Sequence, residues 1–535
     1  MKYAKLTLSG PYRETAAQTH GLSTAARREG FRFDQFFLKT EAIINNRKIS
    51  KVLIECRQDF STGLFSGLEE IRERLDKLQA SGKEVYFFAH TYGGLELFLS
   101  SACSYRVMHP MGSVKFFGLS QSFLFAKRMM RRFGIDAGII RRGAYKSAGD
   151  MYRRDTLDDA VREQYEHYLS SVFDVIKDGI ISGFDKTADD LDLLLNGVVL
   201  TASAAADAGW IDEIVSIGEF VSRWDKQKDR EFKFKKAPQK AGKEGFFKKK
   251  IIAVLVFEGA VVDGYSRRDP VMGQAVGSES LIPQIRKLRD DSKVKAVVFR
   301  INSGGGSAFA SEDITAELRL LAEEKPLIIS MSEVAGSGGY WMSCCGRKTF
   351  AQPTTLTGSI GVISIYLGWK KLFERIGLTH DTIRFGEHAD SGSPWRELSD
   401  KEKEILEQEI EEMYQSFIGM VAEARGKSRE DIEAIAQGRV WPGSSALSHG
   451  LIDEAGGLSD SIASAAAEAD LKNAAVRFYP EVKYGLVERL IMNISHSDDT
   501  EAVKQPLSLI SALSRGGGLK TGPLALMEEV LLKWN

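Results

Sequence analysis

The chain repeats itself, and that duplication limits what it can fold into more than any single motif does. Lys51-Val52-Leu53-Ile54-Glu55 and Ala296-Val297-Val298-Phe299-Arg300 are both strand-sized apolar runs. Each leads into an amphipathic stretch, Leu68 to Leu78 in the first case and Ile314 to Leu321 in the second. The second run lies 245 positions beyond the first (296 against 51), and Ser337-Gly338-Gly339 lies equally far beyond Tyr92-Gly93-Gly94 (337 against 92). Lys5 to Gly10 and Ile251 to Gly259 open the copies as strands ending in glycine. Gly197 to Glu213 returns as Gly438 to Glu454, 241 positions on. A nearly constant separation kept over such a length is the mark of a tandem duplication, and strands alternating with helices in each copy predict two α/β domains. We expect the first repeat over 1–224, a linker over 225–250, the second repeat over 251–470 and an extension over 471–535.

A length of 535 residues agrees with more than one hydrophobic core. The 72 basic and 73 acidic residues balance, so no global charge draws the chain to nucleic acid. Four scattered cysteines form neither a disulfide framework nor a metal-binding pair, and the eight histidines include no H-E-x-x-H, so a zinc hydrolase is not expected. No apolar run reaches the roughly 18 residues that span a bilayer, and Met1 to Gly10 reads as a first strand rather than a targeting signal. Asp225 to Lys250 is lysine-rich and reads as a solvated linker, with a basic arm for anionic lipid or nucleic acid as the alternative. In the extension, Leu507 to Leu513 and Leu524 to Leu532 read as amphipathic pieces, separated by the break Ser514-Arg515-Gly516-Gly517-Gly518.

The chemistry concentrates around Ser337. Pro326-Leu327-Ile328-Ile329 begins a strand, and Gly336-Ser337-Gly338-Gly339 predicts a sharp turn from strand into helix that presents a hydroxyl beside the free N–H of Gly338. An ordinary glycine-rich turn is the plain alternative. Upstream, Val297 to Ile301 runs into Asn302-Ser303-Gly304-Gly305-Gly306-Ser307, where Gly305 and Gly306 are candidates for the rest of an oxyanion hole. A phosphate cradle is disfavoured because no Lys-Ser or Lys-Thr follows those glycines.

Asn302 to Ser307, Val334 to Trp341 and Thr357-Gly358-Ser359-Ile360-Gly361-Val362 together resemble the signature motifs of the signal peptide peptidase A family, and the doubled architecture resembles its long form. The resemblance covers residues 45 to 470. It implies a Clp protease/crotonase-like fold in each repeat and a serine–lysine dyad whose lysine lies in a G-x-Y-K-S segment, here Gly143-Ala144-Tyr145-Lys146-Ser147. It also implies a role for Ser359 in orienting that lysine, a homotetramer of eight repeats, peptide substrates such as released signal peptides, and membrane association at the bacterial inner membrane facing the periplasm or cell envelope. Two departures stand out: Gly304 occupies a position where the family usually has proline, and no membrane-spanning helix opens the chain as given.

The repeat explains why such a dyad must cross between the copies. In the second repeat Ala389 stands where Lys146 stands in the first; in the first, Tyr92 replaces the serine, Arg57 to Ser61 replaces the glycine loop, and the counterpart of Ser359 falls near Phe116. Ser337, Gly305, Gly306 and Gly338 from one repeat with Lys146 from the other make one complete set. To act as a base, the lysine must fall from a pKa of about 10.4 to roughly 7 or 8, a differential of about 4 kcal/mol that burial can supply. His388 with Asp390 is the alternative base, in a Ser-His-Asp arrangement. The reading is a serine endopeptidase acting on short apolar peptides, a preference that the resemblance implies and that the apolar surroundings Val334, Tyr340 and Trp341 suit. Its rivals are a crotonase-like acyl-CoA enzyme, which would need a catalytic carboxylate, and an inactive scaffold in membrane-protein quality control.

Overall fold

The computed structural model describes residues 2–15, 30–226, 229–234, 250–269 and 273–480, and two short strands, Leu524–Ala525 and Leu532–Trp534. The lysine-rich centre of the expected linker, residues 235–249, and the amphipathic piece and glycine break at 507–518 lie outside the described residues.

Two sheets share one strand order. The first runs Arg230–Glu231, Lys2–Leu8, Ile49–Cys56, Glu84–Ala89, Tyr105–Met108, Glu213–Ile214, all parallel. The second runs Ala475–Tyr479, Ile251–Glu258, Val294–Ser303, Leu327–Gly336, Lys348–Ala351, Glu454–Ala455, again all parallel. Parallel strands require crossover connections, and the amphipathic stretches supply them as helices Ser66–Ala80 and Ala308–Glu324. Each sheet has an edge strand beyond its expected limit. Arg230–Glu231 lies inside the anticipated linker, and Ala475–Tyr479 lies past residue 470, because both add backbone hydrogen bonds to an otherwise open edge.

The long strand Leu327–Gly336 forks. Its first half pairs with Lys348–Ala351 through Ile328, Ile329 and Ser330, while its second half pairs with Leu356–Gly358 through Val334, Ala335 and Gly336. Gly336 opposite Gly358 therefore places the next residues, Ser337 and Ser359, side by side.

The two copies are bound together rather than strung apart. One apolar core contains Leu68, Leu75 and Phe37 from the first copy with Ile328, Leu458 and Phe478 from the second. At the same boundary Arg300, fully buried, donates to Glu14 at 3.1 Å and to Glu70 at 2.7 Å, and also to Ser330 and Ser332. Glu333 accepts from the Leu64 N–H at 2.8 Å, and Glu69 accepts from Thr354. Burial pushes the carboxyls of both Glu69 and Glu333 up to about 8. Finally, Asp136–Arg142 of the first copy pairs antiparallel with Val362–Gly368 of the second, from Arg142 opposite Val362 to Asp136 opposite Gly368. That ribbon carries the chain toward Ser337.

Candidate active site

Ser337 sits where strand Leu327–Gly336 becomes helix Gly338–Ser343, with φ 54° and ψ −117°. A non-glycine residue at positive φ costs about 1–3 kcal/mol, so the surroundings must hold it there. They do so through backbone bonds. The Ser337 N–H donates to the Gly358 carbonyl at 2.9 Å, and the Ser337 carbonyl accepts from the Trp341 N–H at 2.8 Å. Ser359, across the fork, has φ 52° and donates its N–H to Arg439 at 2.7 Å. The two strained serines face one amine.

That amine is Lys146. Its Nζ lies 2.8 Å from Ser337 Oγ, 2.9 Å from Ser359 Oγ and 2.9 Å from the Ser359 carbonyl oxygen. All three side chains are buried. Desolvation lowers the lysine from 10.5 to about 7, and no carboxylate bonds to Nζ among the described residues to oppose it. A neutral amine fits these partners: its two N–H groups donate to the Ser359 hydroxyl and carbonyl, and its lone pair accepts the Ser337 proton.

The turn bearing Lys146 follows directly from the ribbon. Its position is fixed by both copies: the Tyr145 N–H donates to the Gln437 carbonyl at 2.9 Å, and Arg439 stacks on the Tyr145 ring at 4.8 Å. Gly438, at φ 76°, leaves room for it, since a Cβ there would lie 2.6 Å from Lys146 Cβ.

The glycine loop lies against the start of the serine's helix. A Cβ on Gly338 would meet Ser311 Oγ at 2.5 Å and Gly306 N at 3.4 Å, so only glycine allows this approach. The candidate oxyanion donors differ in their engagement. The Gly305 N–H is spent within the loop, donating to Ser303 Oγ at 3.1 Å, and its φ of 101° shapes the turn. Gly306 lies against Gly338 across this approach, and its backbone also pairs with Val261 and with Ala525.

The other positions singled out in the sequence lie elsewhere. Tyr92 is buried and donates its hydroxyl to the Phe87 and Val107 carbonyls, and Phe116 is buried against Phe173. His388 faces Glu402 at 3.6 Å, while the Asp390 carboxylate is held by Arg384 and Arg396, which drive its pKa down. Neither joins the Ser337 cluster. The Ser359 carbonyl and the Arg300 hub have no motif to announce them, although an arginine inside the apolar run Val297 to Ile301 is itself a sign of a buried ion pair.

The model of peptidase family S49 matches residues 77–231 and 319–472, the first stretch holding Lys146 and the second Ser337 and Ser359. This chain belongs to that family. It is 32% identical over 413 residues to the chloroplastic serine protease SPPA of Arabidopsis thaliana, covering 76% of this chain and 61% of that one. It is 30% identical over 458 residues to protease 4 of Salmonella typhi, covering 82% of this chain and 72% of that one. An Enterococcus faecium protein named "Putative signal peptide peptidase SppA" matches over 251 residues at 30% identity, 47% of this chain and 72% of its own. The family match over two segments agrees with the tandem α/β architecture. Among the described residues, no helix is long and apolar enough to cross a membrane.

Proposed function

We propose that this chain is a serine endopeptidase in which Ser337 is the nucleophile, Lys146 the general base, and Ser359 the group that orients the lysine. The observation that carries the reading is the 2.8 Å approach of a desolvated Lys146 amine to Ser337 Oγ. Neutral Lys146 takes the hydroxyl proton as Oγ attacks a peptide carbonyl, and the tetrahedral oxyanion forms between the Gly338 and Gly306 amides. The ammonium then protonates the leaving amine, and the same lysine activates water for deacylation. Each step needs both copies of the repeat. Replacing Ser337 or Lys146 by alanine and following hydrolysis of a fluorogenic apolar peptide tests this: both variants lose turnover, and normal turnover in either one refutes it.

Short apolar peptides, including released signal peptides, are the proposed substrates, supported by the name of the Enterococcus relative. A cell-envelope location is proposed from the resemblance of the motifs to the signal peptide peptidase A family, and fractionation of native cells tests it.

The repeat supports assembly of identical chains. Residues 379–385 of the second copy correspond to Asp136–Arg142 of the first, and Leu119–Gln121 corresponds to the start of Val362–Gly368. Repeating the internal ribbon between chains sets 379–385 along Leu119–Gln121 of the next chain. Ile383 and Phe385 are suited to be covered in this way, being apolar yet 91% and 95% exposed. Within one chain that edge pairs with Leu532–Trp534, which assembly must displace. Four chains closing a ring of eight repeats is the proposed state.

A further inference from the structure

A lysine that serves as a base needs its backbone held as firmly as its amine, because the side chain reaches from one copy of the repeat into the other. The turn from Gly143 to Gly149 is braced on the inner side by Gln437 and Gly438, as described above. Its outer side is held by one face of the strand that precedes it. Alternate residues of Asp136–Arg142 point the same way. Ile139 packs where a Cβ on Gly149 would come within 2.6 Å of its Cδ1, and Arg141, two residues on, reaches the turn itself. Its guanidinium donates to the Lys146 carbonyl at 2.8 Å and to both oxygens of the buried Asp150 at 3.2 Å. Asp150 in turn takes Arg153 at 2.8 Å, with Arg154 at 3.6 Å, and its N–H donates to the Ser147 carbonyl at 2.7 Å. One guanidinium thus ties the residue bearing the base to the first turn of the following helix.

The second copy supplies an independent comparison. The counterparts of Arg141, Lys146 and Asp150 there are Arg384, Ala389 and Ser393. The acid has gone where the lysine has gone. Arg384 remains, but it binds Asp390 in an exposed segment and holds no base in place.

We infer that Arg141 and Asp150 form a positioning bracket for Lys146, fixing the backbone of its turn so that the amine stays between Ser337 and Ser359. The inference rests on the serine–lysine reading. Neither bracket residue touches the reacting atoms. The charged groups around the turn are Arg141, Arg153 and Arg154 about Asp150, with Asp158 on Arg154, Arg142 paired with Glu411, and Arg439 beside Tyr145 paired with Glu163. Among the described residues, none of them bonds to Nζ. The bracket therefore acts through geometry: when it is broken, the turn relaxes, water reaches the amine, and its protonation midpoint climbs toward that of a solvated lysine.

The test is the pH profile of kcat and KM for the full-length protein on a fluorogenic apolar tetrapeptide, with wild type, Arg141→Ala, Arg141→Lys, Asp150→Asn and Lys146→Ala compared. Loss of the bracket should lower kcat about a hundredfold in Arg141→Ala with little change in KM, as displacement of a reacting group by about an ångström does. The profile's midpoint should rise by about one unit or more in the same variant. Arg141→Lys should recover part of the rate, because all three contacts run through the one nitrogen Nη1, which an ammonium on a differently shaped side chain replaces incompletely. Asp150→Asn keeps the shape of the helix start and should show a smaller loss with the same upward shift. A normal rate and midpoint in Arg141→Ala and Asp150→Asn, with Lys146→Ala inactive, overturns the bracket alone. A lost rate with an unmoved midpoint also overturns it, since that is what a purely structural pair would give. An active Lys146→Ala overturns the serine–lysine reading instead.

Discussion

Replacing Lys146 by methionine should abolish activity and yet make the protein more stable at pH 6, by an amount that disappears as the pH rises. Burial lowers the folded-state pKa of the amine from 10.5 to about 7. Between these two values the unfolded chain binds more protons than the folded one, so the lysine's effect on stability becomes more favourable with rising pH across that window. Below about pH 7 the folded protein bears the whole cost, about 5 kcal/mol at 1.36 kcal/mol per unit. Methionine, of similar length and without charge, removes that cost. It also leaves the Ser359 hydroxyl and carbonyl without their donor, a loss of about 1–3 kcal/mol. The variant should therefore be about 2–4 kcal/mol more stable than wild type at pH 6. Its advantage should shrink by about 2 kcal/mol between pH 7 and 9. Guanidinium unfolding of both proteins from pH 6 to 9 measures the difference directly. A difference that does not change with pH, or a less stable variant at pH 6, would show that the amine is not desolvated.

The activity predictions follow from the same cluster. Ser337→Ala, Lys146→Ala and the double variant should each lose more than about a thousandfold in kcat/KM, with the double variant no worse than either single one, because nucleophile and base act as a unit. Wild-type kcat/KM should rise through a midpoint near 7, where the lysine becomes neutral, and a flat profile from pH 6 to 9 with chemistry rate-limiting would count against a lysine base. Arg300→Met should destabilise the protein by about 3–5 kcal/mol in urea unfolding, since it leaves Glu14 and Glu70 buried without their partner; a change below 1 kcal/mol would contradict that role. Phe385→Asp should lower the mass measured by light scattering to that of a single chain, whereas unchanged assembly would place the interface elsewhere.

The main strands of both sheets are legible because buried parallel strands read as short apolar runs, and the repeat states each run twice; their order in the sheet is not. The Ser337 turn is legible for a local reason: glycines flanking a serine after a strand leave few other conformations. The complementary losses show that the site crosses between the copies, but how the copies pair their backbones is not legible. The pairing of Asp136–Arg142 with Val362–Gly368 joins segments far apart in the chain, and nothing in either segment encodes its partner. The edge strands Arg230–Glu231 and Ala475–Tyr479 escaped the expected boundaries because a two-residue or five-residue strand has too little periodicity to mark it. Gly305 and Gly306 are equal oxyanion candidates in the sequence because adjacent glycines look alike there. In the structure the Gly305 amide is bonded to Ser303 Oγ, which the sequence does not mark. Arg141 and Asp150 flank a recognisable lysine segment, but a bracket is visible only once the strand has turned them toward the same carbonyl.

The most direct test of a nucleophile in one copy activated by a base in the other is acylation by a serine-directed probe, followed by intact mass and peptide mapping. In wild type a single label should appear on Ser337, and its rate of formation should rise with pH through about 7 and collapse in Lys146→Ala. A label on another residue, or labelling of Ser337 at an unchanged rate in Lys146→Ala, would contradict the account.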